Sequence, residues 1–323
     1  MDNPELNLNS FNILILGLGK VGMTYDFSGP SQQVLTHARA INEWSTSKNI
    51  NIRISAVDPN PDTKKPFNEI FKNGEWFSNI YEVKPETSFD LAVIATPIAT
   101  IAHDTLRVCQ DFKINRLVIE KPAAKSLEEL NALISIPKSS SKCIVGFPRP
   151  LLPSSILLRD EIQSFGGNVP WKVDIYYGGS VLNILSHFLN LIEFVVESFK
   201  LDSFSFSTEG YLNAIFKSES ERLIIHTHQY SEFNDEKNEM HIEGPITIAY
   251  TNSGRSINFS NLREKNNGTE IRKDFKNEVS QMIGNFGNRY LMWALLSEDS
   301  EFTRLTSPSL SETIRLAEAI NVR

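Results

Sequence analysis

The residue types best suited to chemistry lie in the stretch Arg116–Ala124, which reads RLVIEKPAA. Its apolar run, Leu117–Ile119, lacks period-2 alternation, which is typical of a strand buried on both faces of a parallel sheet. Glu120, Lys121 and Pro122 follow at the carboxyl end, where open α/β sheets bind their ligands. Lys121 could be a solvated residue at a strand end or a charged hydrogen-bond donor to a ligand. The stretch therefore marks Glu120 and Lys121 as candidate site residues.

A second candidate lies in the apolar stretch Leu182–Val196, where Asn183 and His187 are four residues apart. On an α-helix, this spacing places both side chains on one face. Histidine is the general base whose ordinary pKa lies near neutrality, although a single histidine in such a helix is more often a satisfied core residue. The polar residues also make the stretch a core helix rather than a membrane span.

A glycine-rich loop near the start of the chain predicts a dinucleotide site. The apolar run Phe11–Leu16 predicts a buried strand that leads directly into a G-x-G-x-x-G motif. The first glycine permits a tight turn, the second lets the backbone approach a pyrophosphate, and the third lets a helix pack on the strand. The phosphate then meets the amide groups at the start of that helix. The motif residues are Gly17, Leu18, Gly19, Lys20, Val21 and Gly22.

Asp58 indicates which dinucleotide this is. It ends a predicted strand, Asn51–Val57, where an acidic side chain accepts hydrogen bonds from both hydroxyls of an adenosine ribose. A carboxylate there would repel a 2′-phosphate, so the sequence predicts NAD rather than NADP. Asp58 could instead be a turn residue before a proline, and the nearby Lys64 and Lys65 would suit NADP.

An insertion, Met23–Thr36, lengthens the spacing between the glycine motif and Asp58. Gly29-Pro30 interrupts the expected helix, which resumes around His37. The insertion brings Tyr25, Asp26 and His37 close to the expected cofactor. It could face a substrate or be an ordinary surface loop.

The order of elements predicts two domains, at 1–150 and 151–323. In the first, strands end at Asp58, at Thr96-Pro97 and at Lys121, and they alternate with helices, one of which carries His103 near its start. After residue 200 the chain turns to strands, which predict a largely antiparallel sheet with one exposed or partner-covered face. From residue 278 the sequence again looks helical, at 290–296 and 310–320.

Composition excludes several classes of protein. The net charge of −7 and a pI near 5.5 argue against a nucleic-acid partner. No apolar run reaches the length of a membrane span, and the polar, acidic start is no secretory signal. Cys109 and Cys143 form no paired motif, as expected of reduced thiols in a cytoplasmic protein.

Histidines and carboxylates alternate on two predicted strands, and this pattern raises the question of a metal site. His226 and His228 share one strand face, as do Glu239, His241 and Glu243. Solvated strand faces look the same, and no short-range ligand signature is present. The sequence therefore predicts no metal.

The chain resembles the Gfo/Idh/MocA oxidoreductases. The residues that carry the resemblance are the glycine motif 17–22 after a strand, Asp58, Thr96-Pro97 with His103, Glu120-Lys121-Pro122, and His187 on a helix after Gly178-Gly179. The resemblance covers most of the chain, is specific in residues 11–135 and is loose beyond about residue 200. It implies an α/β protein with an N-terminal Rossmann domain, a doubly wound parallel sheet, and a C-terminal α+β domain with a largely antiparallel open sheet. That open sheet often forms a subunit interface, which implies a homodimer or homotetramer.

The resemblance also assigns roles to individual residues. Lys121 matches the motif lysine between the nicotinamide ribose and the reacting hydroxyl, and the Lys121–Pro122 bond is expected to be cis. His187 matches the catalytic histidine, and Asn183 stands where the family usually has an aspartate. The implied cofactor-binding residues are Gly17, Gly19, Lys20, Val21, Gly22, Asp58, Thr96, Pro97, His103, Glu120 and Lys121.

The function that follows is hydride transfer between NAD and a hydroxyl or carbonyl group of a sugar-like or nucleotide-sugar substrate. Asn183 cannot ionise, which leaves open a different class of protein, a non-catalytic sensor or scaffold that binds NAD and a sugar. A reductase for a non-sugar carbonyl compound would share the same fold.

Overall fold

The computed structural model describes residues 10–27, 34–85, 87–136, 142–166, 168–231, 238–251, 256–260, 273–274 and 305–321. They divide into two compact units. Within the described residues, the first unit contains 10–123, 131–146 and 305, and the second contains 124–130, 147–274 and 306–321. Among the helices described, none is long and apolar enough to cross a membrane.

The first unit is built on a six-stranded sheet in which every strand pairing is parallel. Two further strands, β4 and β6, pair separately. The strands are β1 (Phe11–Leu16), β2 (Ile52–Val57), β3 (Glu75–Phe77), β4 (Ser88–Phe89), β5 (Leu91–Ile94), β6 (Lys113–Ile114), β7 (Arg116–Glu120) and β8 (Lys142–Gly146). The order β3-β2-β1-β5-β7-β8 reverses direction at β1, which is the doubly wound arrangement predicted from the sequence.

The interior strands of this sheet are buried on both faces, as their uninterrupted apolar sequences predict. Residues 13–15 of β1, all of β5 and residues 117–119 of β7 are fully buried. Parallel pairing aligns the carboxyl ends of these strands at one edge of the sheet, which is where ligands bind in this type of fold. The core thus fixes the positions of the loops that follow β1, β2, β5 and β7.

Among the described residues, the helices that alternate with these strands along the chain are α1 (His37–Lys48), α2 (Lys64–Ile70), α3 (Ile101–Asp111) and α4 (Leu127–Ile134). Thr36 caps α1, because its side chain accepts a hydrogen bond from the backbone of Arg39 at 3.2 Å. The N–H groups of His37 and Ala38 donate to the carbonyls of Val21 and Gly22 at 3.1 and 3.0 Å. The start of α1 is therefore hydrogen-bonded directly to the glycine loop.

The second unit contains an eight-stranded mixed sheet. Its strands are β9 (Trp171–Gly178), β10 (Lys200–Phe206), β11 (Leu212–Lys217), β12 (Leu223–Ser231), β13 (Glu239–Glu243), β14 (Thr247–Thr251), β15 (Ser256–Ser260) and β16 (Lys273–Asp274). Their order is β10-β11-β12-β9-β13-β14-β15-β16, and every pairing is antiparallel except that of β9 with β12. The predicted, largely antiparallel sheet is confirmed.

The two faces of this sheet differ in burial. On β9, Trp171, Val173, Ile175 and Tyr177 are buried, and the residues between them are not. The buried face shares a core with side chains from α5 (Pro153–Ser164), α6 (Ser186–Val195) and α7 (Pro308–Asn321). The opposite face, which we call the outer face, carries Lys172, Asp174 and Tyr176 of β9. α7 confirms the helix predicted at 310–320, and the one predicted at 290–296 lies outside the described residues.

A π-helical turn, Val181–Leu185, precedes α6 and changes one prediction. The sequence predicts an α-helix from about Leu182, but α6 begins at Ser186. Asn183 lies in the π turn, where its backbone N–H donates to the Ser180 hydroxyl at 3.2 Å. The i, i+4 argument that places Asn183 and His187 on one face is therefore wrong in its premise, because it assumes α-helical spacing between them.

Candidate functional site

A cavity of about 690 Å³ lies in the first unit at the carboxyl ends of the parallel strands. Its volume is within the usual range for a small-molecule or cofactor site. It is lined by most of the predicted cofactor residues, namely Gly17, Gly19, Lys20, Val21, Asp58, Thr96, Pro97, Glu120 and Lys121. Gly22 and His103 are not in the lining, and the His103 side chain is 79% exposed on α3.

The structure adds lining residues that the sequence did not indicate. Ser78 and Asn79 follow β3, and Thr100, Asp104 and Arg107 belong to the start and body of α3. β3 is only three residues long, so its sequence carries too little periodicity to mark the loop after it. Thr96 also contributes a buried hydroxyl that has no hydrogen-bond partner among the described residues.

The three motif glycines face different surroundings. Gly17 has a φ of +94°, and a Cβ there would lie 2.5 Å from the Ala95 carbonyl oxygen. A Cβ on Gly22 would lie 2.2 Å from the carbonyl oxygen of Gly17. A Cβ on Gly19, by contrast, would meet nothing within 4 Å, and Gly19 lines the cavity. The first and third glycines are thus required by the protein's own backbone, and the second leaves open space that a pyrophosphate fits.

This difference predicts opposite outcomes for two glycine variants. Gly17→Ala should lower the free energy of unfolding by at least about 1–2 kcal/mol, because φ is positive and the backbone is close. Gly19→Ala should leave that free energy nearly unchanged but weaken NADH binding, because the new methyl group enters the open side of the loop. Urea unfolding and calorimetric NADH titration of both variants check this. Unchanged NADH affinity in Gly19→Ala would contradict the predicted pyrophosphate position.

Asp58 is held in place at the end of β2. It is 8% exposed, and its Oδ2 and Oδ1 accept hydrogen bonds from the backbone N–H groups of Leu18 at 2.6 Å and Asn60 at 2.8 Å. A carboxylate oxygen has more than one acceptor position, so both oxygens can still accept from ribose hydroxyls. The carboxylate therefore joins the glycine loop to the second strand and fits the sugar of an adenosine.

Glu120 and His37 form a buried hydrogen-bonded pair next to Lys121. His37 is fully buried, and its Nε2 is 2.6 Å from Glu120 Oε1. The other carboxylate oxygen accepts the backbone N–H of Lys121 at 3.2 Å. A Cβ on Gly146 would lie 2.8 Å from Glu120 Oε1, so glycine at this position of β8 leaves room for the carboxylate. The pair links the start of α1 to the end of β7, immediately before Lys121.

Lys121 itself is partly exposed and lines the cavity. The Lys121–Pro122 peptide bond is cis, as the resemblance implies. Of the insertion residues, Asp26 is buried and accepts hydrogen bonds from the backbone of Leu35 and from the backbone and hydroxyl of Thr36. Asp26 thus connects the first part of the insertion to the residues immediately before α1, whereas Tyr25 is exposed. Gly29-Pro30 lies outside the described residues.

In the second unit, His187 lies in the first turn of α6. It is half-buried, and its ring stands edge-on to Phe147 with 5.6 Å between ring centroids. Asn183 is exposed. Asn190, three residues beyond His187, is buried, and its amide donates to the Ser309 hydroxyl of α7 at 3.4 Å. Asn190 therefore ties two helices together within this unit.

The cysteines do not add a nucleophile to the site. Cys109 and Cys143 are free. Burial raises the pKa of Cys109 to about 11 and that of Cys143 to about 12. Since the thiolate is the reactive form, both groups are inert thiols near neutral pH.

No protein-family profile matches the sequence, and no curated protein matches it either. Solved structures do match over nearly the whole chain. The WlbA dehydrogenase from Bordetella pertussis, in complex with NADH and UDP-GlcNAcA, is 15% identical, with 97% of this chain and 95% of that one covered and a TM-score of 0.71. Levoglucosan dehydrogenase in complex with NADH and L-sorbose is 12% identical, with 97% and 96% covered and a TM-score of 0.71.

A third similar structure is the super-repressor mutant of Gal80p from Saccharomyces cerevisiae. It is 14% identical, with 97% of this chain and 95% of that one covered and a TM-score of 0.72. At such identities the likeness shows the fold alone. The chain thus shares its fold with the WlbA dehydrogenase, levoglucosan dehydrogenase and Gal80p.

Proposed function

We propose that this protein is an NAD-dependent oxidoreductase that transfers a hydride between nicotinamide and a hydroxyl or carbonyl group of a sugar-like substrate, nucleotide sugars included. The observation that carries this proposal is the cavity in which the glycine loop, Asp58 and Lys121 line one space. The solved structures in complex with NADH and with UDP-GlcNAcA or L-sorbose support it. The free cysteines accord with a cytoplasmic location.

Each residue has a role in this proposal. When bound, NAD would accept the hydride. The open side of Gly19 receives the pyrophosphate, and Asp58 accepts the ribose hydroxyls. The Lys121 ammonium stabilises negative charge that develops on the reacting oxygen. His187 takes the proton of the hydroxyl group, and Asn183 orients a hydroxyl by hydrogen bonding without itself ionising.

A substrate panel tests the proposal directly. Purified protein with NAD is mixed with sugars, cyclitols and nucleotide sugars, and the absorbance of NADH is followed. The reverse direction is assayed with NADH and the corresponding carbonyl compounds. Turnover of a sugar-like compound supports the proposal, and turnover of only non-sugar carbonyl compounds would replace it with the related reductase.

A second function is a non-catalytic sensor or scaffold that binds NAD and a sugar. Asn183 favours it, because an amide stands where the resemblance implies a carboxylate. The likeness to the super-repressor mutant of Gal80p gives it further though weaker support. Calorimetric binding of NADH and of a sugar without any turnover in the panel would establish this second function over the first.

The position of Asp58 predicts the choice of cofactor. NADH should bind more tightly than NADPH, because the held carboxylate would repel a 2′-phosphate. Lys64 and Lys65 line a different surface depression, and neither contributes to the cavity. Calorimetric titration with both cofactors checks this. Asp58→Ser should narrow the difference in affinity, and equal affinities in the unmodified protein would contradict the assignment.

We also propose self-association through the sheet of the second unit, giving a homodimer or homotetramer. The outer face includes Tyr176, which is 41% exposed within the described residues of one chain. Light scattering at micromolar concentration should give a mass of two or four chains. A monomer under these conditions would contradict this prediction.

A further inference from the structure

Three metal-ligating side chains meet on the outer face of the second sheet, outside the site described above. Parallel pairing of β9 with β12 sets Asp174 directly opposite His226. His228 lies two residues further along β12, so it projects from the same face. One potential ligand atom from each of these residues lies within 4.8 Å of the other two. We propose that Asp174, His226 and His228 bind a divalent transition-metal ion of the Zn²⁺ class.

The tautomer of His228 favours this proposal. Its Nδ1 lies 3.0 Å from the side-chain oxygen of Asn213 on β11. An amide oxygen can only accept a hydrogen bond, so Nδ1 carries the hydrogen and Nε2 keeps its lone pair. A hydrogen bond from the second ring nitrogen is the usual support of a metal-bound histidine. Asn213 therefore fixes His228 in the form that binds a metal through Nε2.

The Nε2 of His228 faces a carboxylate across a gap. It lies 3.8 Å from Asp174 Oδ1, which is too long for a hydrogen bond. The Nε2 atom of the tautomer that Asn213 favours and the Asp174 carboxylate oxygen thus face each other. A cation in this gap would interact favourably with both.

The neighbours of the two ligands hold them in place. The Lys172 ammonium lies 2.8 Å from the other oxygen of Asp174, Oδ2, which leaves Oδ1 for the ion. Tyr176 stacks on the His228 ring with a centroid distance of 5.0 Å and an interplanar angle of 21°. The positive charge of Lys172 opposes a cation and moderates its affinity. The carboxylate and the ring are nonetheless oriented before any ion binds.

The donor set determines the class of ion. Two imidazole nitrogens and one carboxylate oxygen are ligands that Zn²⁺ accepts, with water in the fourth position. Ligand atoms around tetrahedral Zn²⁺ are separated by about 3.4 Å, given bond lengths of about 2.0–2.1 Å. The distance between His228 Nε2 and Asp174 Oδ1 must therefore close by about 0.4 Å, and the other separations by at most about 1.4 Å. These side chains are only partly buried, so rotation about their side-chain bonds can close the distance.

The experiment uses the full chain without a histidine tag, stripped with a chelator and dialysed. Zn²⁺ is titrated by calorimetry, and Co²⁺ by visible absorption, which reports the coordination geometry. One ion per chain should bind at micromolar concentration. His226→Ala and His228→Ala should each weaken binding by at least about tenfold, and Asn213→Ala should weaken it by about tenfold through loss of the supporting hydrogen bond.

The matched control is His241→Ala. His241 is on the neighbouring strand β13, opposite Asp174, and its Nε2 lies 3.3 Å from Glu239. This variant should keep the parent affinity for Zn²⁺, and thermal unfolding should show that all variants are folded. The proposal is overturned by any of three results: no saturable binding below millimolar Zn²⁺, equal loss of affinity in the control, or one ion per two chains.

Discussion

Replacing Lys121 with alanine is expected to reduce turnover by about 10²–10³-fold, as the loss of one charged donor to a developing oxyanion does in other enzymes. The lysine follows β7 directly and lines the cavity. In the proposed reaction its ammonium is needed only as the hydroxyl loses its proton and the carbon that bears it loses a hydride to NAD, so the loss should fall on kcat. NADH affinity should change little, because Asp58 and the glycine loop remain.

The measurement is a steady-state comparison with the substrate found in the panel, together with calorimetric titration of NADH. Lys125→Ala is the matched control: Lys125 is four residues along the chain, about half exposed, and paired with Glu129 at 3.3 Å. The control should turn over like the parent. If Lys121→Ala also does, another group stabilises the oxyanion. If it loses NADH binding instead, Lys121 is a cofactor ligand only.

The first sheet could be predicted from the sequence because its signal is local. The runs Ile13–Leu16 of β1, Leu91–Ile94 of β5 and Leu117–Ile119 of β7 are uninterrupted apolar segments, and each is buried on both faces. Such a run needs no partner to be identified as a buried parallel strand. Because parallel strands end at one edge, Asp58, Thr96 and Lys121 could be placed together once their strands were found.

The pair of His37 with Glu120 could be predicted only in part. The insertion indicates that His37 lies near the cofactor, but its partner is 83 residues away. They come together because α1 begins beside the glycine loop, where the backbone N–H of His37 donates to the carbonyl of Val21. The sequence periodicity of the two segments does not predict this contact.

The second sheet shows the same limit for the proposed metal site. Alternation along β12 places His226 and His228 on one face. The sequence does not predict that β12 pairs with β9, a strand that precedes it by about fifty residues. It is this pairing that brings Asp174 beside the two histidines. The π turn before α6 could not be predicted from the sequence either, because the residues of Val181–Leu185 suit an α-helix equally well.

Replacing His187 is expected to have the other large effect. His187→Ala should reduce turnover by about 10²–10⁴-fold, the usual contribution of a general base. Asn183 cannot replace it, because an amide does not accept a proton near neutral pH. The His187 ring packs edge-on against Phe147, so alanine could also destabilise α6. His187→Gln separates the two effects, because glutamine fills much of the same space but is not a base.

His187→Gln should therefore unfold at nearly the temperature of the parent and still lose turnover as His187→Ala does. The control is His241→Ala, which removes a partly exposed imidazole from the outer face and should leave turnover unchanged. Rates are measured at saturating NAD and substrate, with NADH affinity determined for each variant. A stable His187→Gln protein with parental turnover would show that another group takes the proton. If turnover is lost only in variants that are also less stable than the parent, His187 is a packing residue and not the base.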